Sequence, residues 1–170
     1  LSGVDALVER GVVDPQRLAV MGWSNGGFLT NCLITKSDRF KAASSGAGVV
    51  SQVIQWGTED TPGHVVNYMG GTFPWTGADH YRAASPLHDL DKVKTPTLIH
   101  VGENDERVPA AHARALYRGL HFYLGVPCEL VVYPGEGHGL STYKHWKAKM
   151  EWDLAWFDRY VLGKVPDSEG

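Results

Sequence analysis

Apolar residues recur along this chain with two periods. Short continuous apolar runs at residues 17–22, 97–101 and 129–133, and a small-residue run at 42–48, read as buried strands. Between them the apolar positions fall three or four residues apart, the spacing of one helix face. Residues 2–10 read as the end of a helix that stops at Gly11, and Asp14-Pro15 marks a turn. Residues 26–36 read as a helix with Phe28, Leu29, Cys32 and Leu33 on one side. Residues 110–124 read as a second amphipathic helix, ended by Gly125-Val126-Pro127. Residues 143–162 form the last, with an apolar stripe of Trp146, Met150, Leu154, Phe157 and Val161 expected to pack on the sheet. The stretch 52–86 breaks the pattern. It is rich in Gly, Pro and aromatic residues, and it reads as a long irregular segment with short helical turns, a candidate lid or pocket wall. Residues 164–170 read as a polar tail.

Strands alternating with helices over short links predict an α/β fold with a mostly parallel sheet flanked by helices. Right-handed crossovers put the strand ends on one rim, where such sheets carry their sites. A length of 170 residues with 43 % hydrophobic content suits one domain, 1–170, with a packed core. Lys and Arg number 16 against 19 Asp and Glu, a net charge of −3, which excludes a basic nucleic-acid footprint. No apolar run is long enough to span a membrane, and no charged-then-apolar leader opens the chain. Cys32 and Cys128 are too few for a disulfide framework, which favours a reducing, cytoplasmic setting. HExxH, paired CxxC, GxGxxG and GxxxxGK[ST] patterns are all missing, so neither a metal nor a cofactor is expected.

Chemistry concentrates at three predicted strand ends. Gly22-Trp23-Ser24-Asn25-Gly26 is a G-x-S-x-G pattern between a strand and a helix, the context of a nucleophile elbow. Such an elbow lifts the serine hydroxyl above the sheet on a strained turn. Gly22 and Gly26 are expected to remove colliding side chains, and Gly27 to let the helix approach the strand. The helix start turns backbone N–H groups toward the site, so the Asn25 N–H can face a developing oxyanion. A serine hydroxyl needs a base. His138, in Pro134-Gly135-Glu136-Gly137-His138-Gly139 after the last strand, is the candidate. Asp105, in the loop after the preceding strand, would orient the imidazole, with Glu103 as its rival. The chain order Ser24, Asp105, His138 is that of α/β-hydrolases. Trp23, Trp56, Tyr68, Trp75 and Val108 are candidate pocket residues, although rings in the 52–86 stretch serve equally well as core. His100 reads as a core or rim histidine.

At these residues the chain resembles the catalytic domain of prolyl oligopeptidase family serine peptidases, in particular acylaminoacyl-peptidases and dipeptidyl aminopeptidases. Gly22-Trp23-Ser24-Asn25-Gly26-Gly27 is similar to their nucleophile motif, and Gly102-Glu103-Asn104-Asp105-Glu106-Arg107-Val108-Pro109 to their acid loop. Glu136-Gly137-His138-Gly139 is similar to their histidine loop. The resemblance implies a serine hydrolase acting on peptide, acyl-amide or ester bonds through an acyl-enzyme. It also implies a truncated α/β-hydrolase fold, lacking the upstream strands, the β-propeller and the upstream tyrosine that gives the family its second oxyanion donor. Loss of one such donor typically costs ~10²–10³ in rate. A nucleophile strand left at the sheet edge would invite pairing with a second copy of the chain. The competing readings are a small carboxylesterase or lipase-like hydrolase, and an inactive fragment that needs a partner chain.

Overall fold

A computed structural model describes residues 1–164; of the polar tail only Lys164 falls inside that range. Four strands, β1 (Ala19–Trp23), β2 (Ala42–Gly46), β3 (Thr97–Gly102) and β4 (Cys128–Tyr133), form one sheet in the order β1-β2-β3-β4. Every pairing is parallel, with Trp23 opposite Gly46, Gly46 opposite His100 and Gly102 opposite Tyr133. The expected α/β fold is therefore the one observed, and among the described residues β1 lies at the sheet edge. Met21 on β1 is more than half exposed.

Helices cover both faces. On one lie α2 (Asn25–Lys36) and α6 (Ala111–Tyr117), burying Ile34, Ala113 and Leu116 against Ala43, Ile99 and Val101. On the other, α7 (Tyr143–Tyr160) sets Trp156 on Ala42 and Leu98. Helix α1 (Ser2–Glu9) buries no side chain. No helix among the described residues is long and apolar enough to cross a membrane.

Four expectations need correction. Helix α2 turns Gly27, Thr30, Asn31 and Ile34 inward, while Leu29 is half exposed and Phe28, Cys32 and Leu33 are only partly buried. The small Gly27 decides this, because it lets the α2 backbone pack directly on Gly46 and Gly48. Helix α7 is rotated likewise. Asp153 and Trp156 face the sheet, and Trp146, Met150 and Leu154 are each more than half exposed, while Phe157 and Val161 of the expected stripe do pack there. The sheet surface beneath α7 carries Ser44 and His100, and Asp153 hydrogen-bonds both. An apolar period cannot register a polar floor of this kind. The helix expected over 110–124 changes at Arg118 to a wider π-helical segment, Arg118–Tyr123. The 52–86 stretch is better ordered than expected. It holds α3 (Gln52–Thr58), α4 (His64–Tyr68), α5 (Ala78–Ala83) and the start of a 3-10 segment, Pro86–Lys92.

Candidate active site

Three loops leave the same ends of β1, β3 and β4 and bring Ser24, Asp105 and His138 together. Ser24 joins β1 to α2 with φ 59° and ψ −118°, a conformation rare outside glycine. Two contacts fix this turn: the Ser24 N–H donates to Gly46 O at 2.9 Å, and the Phe28 N–H donates to Ser24 O at 2.9 Å. A Cβ at Gly22 would overlap the Gly26 backbone, and one at Gly27 would overlap Gly46 O. At Gly26 a Cβ meets open space, so the collision expected there does not exist. Gly22 alone removes the side chain that would block the turn.

The Ser24 Oγ–H lies 2.8 Å from His138 Nε2. His138 Nδ1 lies 2.9 Å from Asp105 Oδ2 and 3.1 Å from Oδ1. These partners fix the tautomer: Nδ1–H donates to the carboxylate, and Nε2 accepts from the hydroxyl. Asp105 is buried, and its Oδ1 also accepts from the Arg107 N–H at 3.0 Å and the Val108 N–H at 2.8 Å. Its rival Glu103 turns away and accepts from the Gly135 N–H at 3.0 Å. Asn25 is the first residue of α2, and first-turn amides have no partner within their own helix.

A cavity of about 290 Å³ opens beside this constellation. Ser24, Asn25 and His138 line it together, and Phe28, Val49, Val65 and Val108 supply an apolar wall. Of the sequence candidates for a pocket, Tyr68 and Val108 line it. Trp56 and Trp75 instead pack edge to face at 5.4 Å, with Phe73 stacked on Trp75 at 5.1 Å. Tyr81 is a core residue, donating its hydroxyl to Thr72 O. Trp23 points its indole N–H at His138 O, 2.7 Å away.

Sequence reasoning missed two carboxylates. Gln55 lines the cavity and donates Nε2–H to Arg107 O at 2.7 Å and to Glu59 Oε2 at 2.8 Å. Glu59 is nearly inaccessible and also takes the Val65 N–H, so this pair ties α3 and α4 to the acid loop. Glu136 does the same for the histidine loop. Its carboxylate accepts from the backbone N–H groups of Ser141 and Thr142, from both their hydroxyls, and from His145 Nδ1. The Thr142 hydroxyl, the Ser141 amide and His145 hold its pKa far below the usual carboxylate range. Its backbone carbonyl accepts from the Asn104 N–H, joining the histidine loop to the acid loop. Glu136 lies two residues before His138 in the quoted motif, which was the one available signal.

A parallel α/β sheet with a strained serine elbow, and with an acid and a histidine on the next loops, defines the hydrolase class of α/β proteins. The sequence profile of the prolyl oligopeptidase family matches residues 1–164, and the chain belongs to that family. It is 32 % identical over 168 residues to the acylamino-acid-releasing enzyme of Arabidopsis thaliana, covering 94 % of this chain and 22 % of that protein. It superposes on a puromycin-hydrolyzing peptidase of Mycobacterium tuberculosis with a TM-score of 0.87 at 28 % identity, over 94 % of this chain and 24 % of that one. An acylaminoacyl peptidase solved in complex with Z-Gly-Gly-Phe-chloromethyl ketone matches at a TM-score of 0.84 and 26 % identity, over 93 % of this chain and 26 % of that one. The chain thus spans about a quarter of the length of these relatives.

Proposed function

We propose that the protein is a serine hydrolase that cleaves peptide or acyl-amide bonds, and activated esters, through an acyl-enzyme. Ser24 Oγ attacks the substrate carbonyl while His138 Nε2 takes its proton. His138 then returns that proton to the leaving amine or alcohol. Asp105 holds the imidazole in the productive tautomer and stabilises the imidazolium. The Asn25 N–H supplies one oxyanion donor. Water repeats the cycle on the acyl-Ser24 ester. The observation that carries this reading is the unbroken Asp105–His138–Ser24 relay, at 2.9 and 2.8 Å, beside a cavity able to take an acyl group. A peptide-like occupant is favoured by the neighbour solved with a peptide chloromethyl ketone.

On this reading residues 1–164 belong to one catalytic domain, and the edge of β1 is open to a further strand. The unpaired Cys32 and Cys128 favour work in the cytoplasm. A fluorophosphonate probe followed by intact-mass measurement tests the relay. One adduct per chain, absent in Ser24→Ala, is the expected result. A folded chain that takes no adduct refutes self-sufficient catalysis. Aminoacyl-anilide cleavage then separates a peptidase from an enzyme confined to short acyl esters.

A further inference from the structure

The histidine loop is rich in glycine around His138. Gly135, Gly137 and Gly139 surround His138, and glycine gives the backbone its widest freedom. Glu136 anchors the loop two residues upstream of the imidazole. Asp105 and Ser24 engage the ring itself. The main chain at His138 is engaged from elsewhere, by the Trp23 indole N–H donating to His138 O at 2.7 Å.

Trp23 is well built for this. It lies on the sheet face opposite α2 and α6, in register with Gly46. The indole packs against Gly46, where a Cβ would overlap its ring atoms. Lys149 Nζ from α7 stands 5.9 Å from the ring centroid, within cation–π range. Lys149 is itself held, donating to Asp153 Oδ2 at 2.6 Å. Asp153 Oδ1 accepts from Ser44 Oγ at 2.6 Å and from His100 Nε2 at 3.1 Å. His100 Nδ1 accepts from the Tyr133 hydroxyl at 2.9 Å. Tyr133, His100, Ser44 and Asp153 are all buried. A rigid polar layer between the sheet and α7 therefore ends at the tryptophan that holds the loop.

We propose that Trp23 is a positioning residue that acts through His138. Its N–H fixes the height of the His138 main chain so that Nε2 meets Ser24 Oγ while Nδ1 meets Asp105. The proposal rests on the serine hydrolase reading. It gives the residue before the nucleophile a task other than lining a pocket. Trp23 never touches substrate in this role, so its loss should lower kcat with little change in KM.

The test uses two replacements in the full chain: Trp23→Phe, and substitution of Trp23 by benzothienylalanine, which keeps the bicyclic ring but puts sulfur in place of N–H. Both are expected to slow fluorophosphonate labelling of Ser24 about tenfold, the size of one net hydrogen bond. The apparent KI of the probe stays within twofold. The isostere should keep the parent melting temperature. Labelling by the isostere at the parent rate overturns the proposal, as does a loss in Trp23→Phe that only follows a fall in melting temperature. A second readout does not need catalysis. The low-field Nδ1 proton of His138, seen by NMR in histidine-labelled protein, should exchange faster in both variants. If the parent chain takes no label, the hydrolase reading fails and this proton decides the positioning claim alone: unchanged exchange overturns it.

Discussion

Ser24 carries the clearest conflict between a residue and its backbone. A non-glycine residue at φ 59° and ψ −118° stores of order 1–3 kcal/mol of strain. The surrounding contacts hold it there, so the strain serves to expose Oγ. Ser24→Gly removes the Cβ that causes it, partly offset by about 0.5–1 kcal/mol of extra unfolded-chain entropy. We expect Ser24→Gly to melt roughly 2–4 °C above the parent, the equivalent of about 1 kcal/mol at this size. Ser24→Ala keeps the Cβ and should not gain; neither variant should take a fluorophosphonate. A calorimetric scan in which Ser24→Gly melts at or below Ser24→Ala contradicts the strain argument. At this scale the sequence was informative about which residues meet. Ser24, Asp105 and His138 each follow a strand, and the structure brings them within hydrogen-bond distance. The sequence was silent on what supports them. That Gly22 and not Gly26 makes room for the turn, and that Trp23 turns toward His138 O, depend on how β1 lies against β2 and on which face its side chains leave.

The elements were legible wherever one apolar period dominated. Strands β1, β3 and β4 fall within one or two residues of their apolar runs. The segment between β2 and β3 was legible only as short helical turns without bounds, because α3, α4 and α5 are only seven, five and six residues long. Helices so short are stabilised by contacts made elsewhere, such as Gln55 with Arg107 O in the acid loop, and carry too few turns to show a period. Helix α7 was legible in extent but not in rotation. Its start is where the histidine loop is secured, since Glu136 takes up the first amide donors around Thr142. Glu136→Ala leaves those donors and His145 without their acceptor. The expected outcome is a lower melting temperature and faster amide exchange across residues 135–142. A tenfold or greater drop in labelling of Ser24 should accompany it, with β1 and β2 still protected. Exchange that rises uniformly over the sheet would show that Glu136 holds up the whole fold and not this junction.

Across the whole molecule, the buried titratable groups make folding depend on pH in two separable steps. His112 is fully buried, and burial lowers its pKa to about 4. Its Nδ1 accepts from the Val50 N–H, so the neutral ring is the form the fold uses. Burial also lowers His100, against the opposing pull of Asp153. Between the unfolded histidine value of about 6.5 and these lowered values, the unfolded chain binds more protons than the folded one. Stability must therefore fall as pH falls through that window. From His112 alone the loss between pH 7 and pH 4 should approach about 3 kcal/mol. A second step lies lower. Burial pushes Asp153 up, but its hydrogen bonds from His100, Lys149 and Ser44 prevail and bring it to about 2; Glu136 is lowered as well. The stability these carboxylates provide is complete above their unfolded values near 4 and is lost as pH drops below that. Urea unfolding from pH 7 down to pH 3 should thus show one decline above pH 4 and another beneath it. His112→Gln keeps an acceptor for the Val50 amide without a group that titrates. It should flatten the upper decline and leave the lower one intact. If the upper decline keeps its full slope in His112→Gln, the acid sensitivity of this fold comes from the Asp153 and His100 layer under α7, the same layer that supports Trp23.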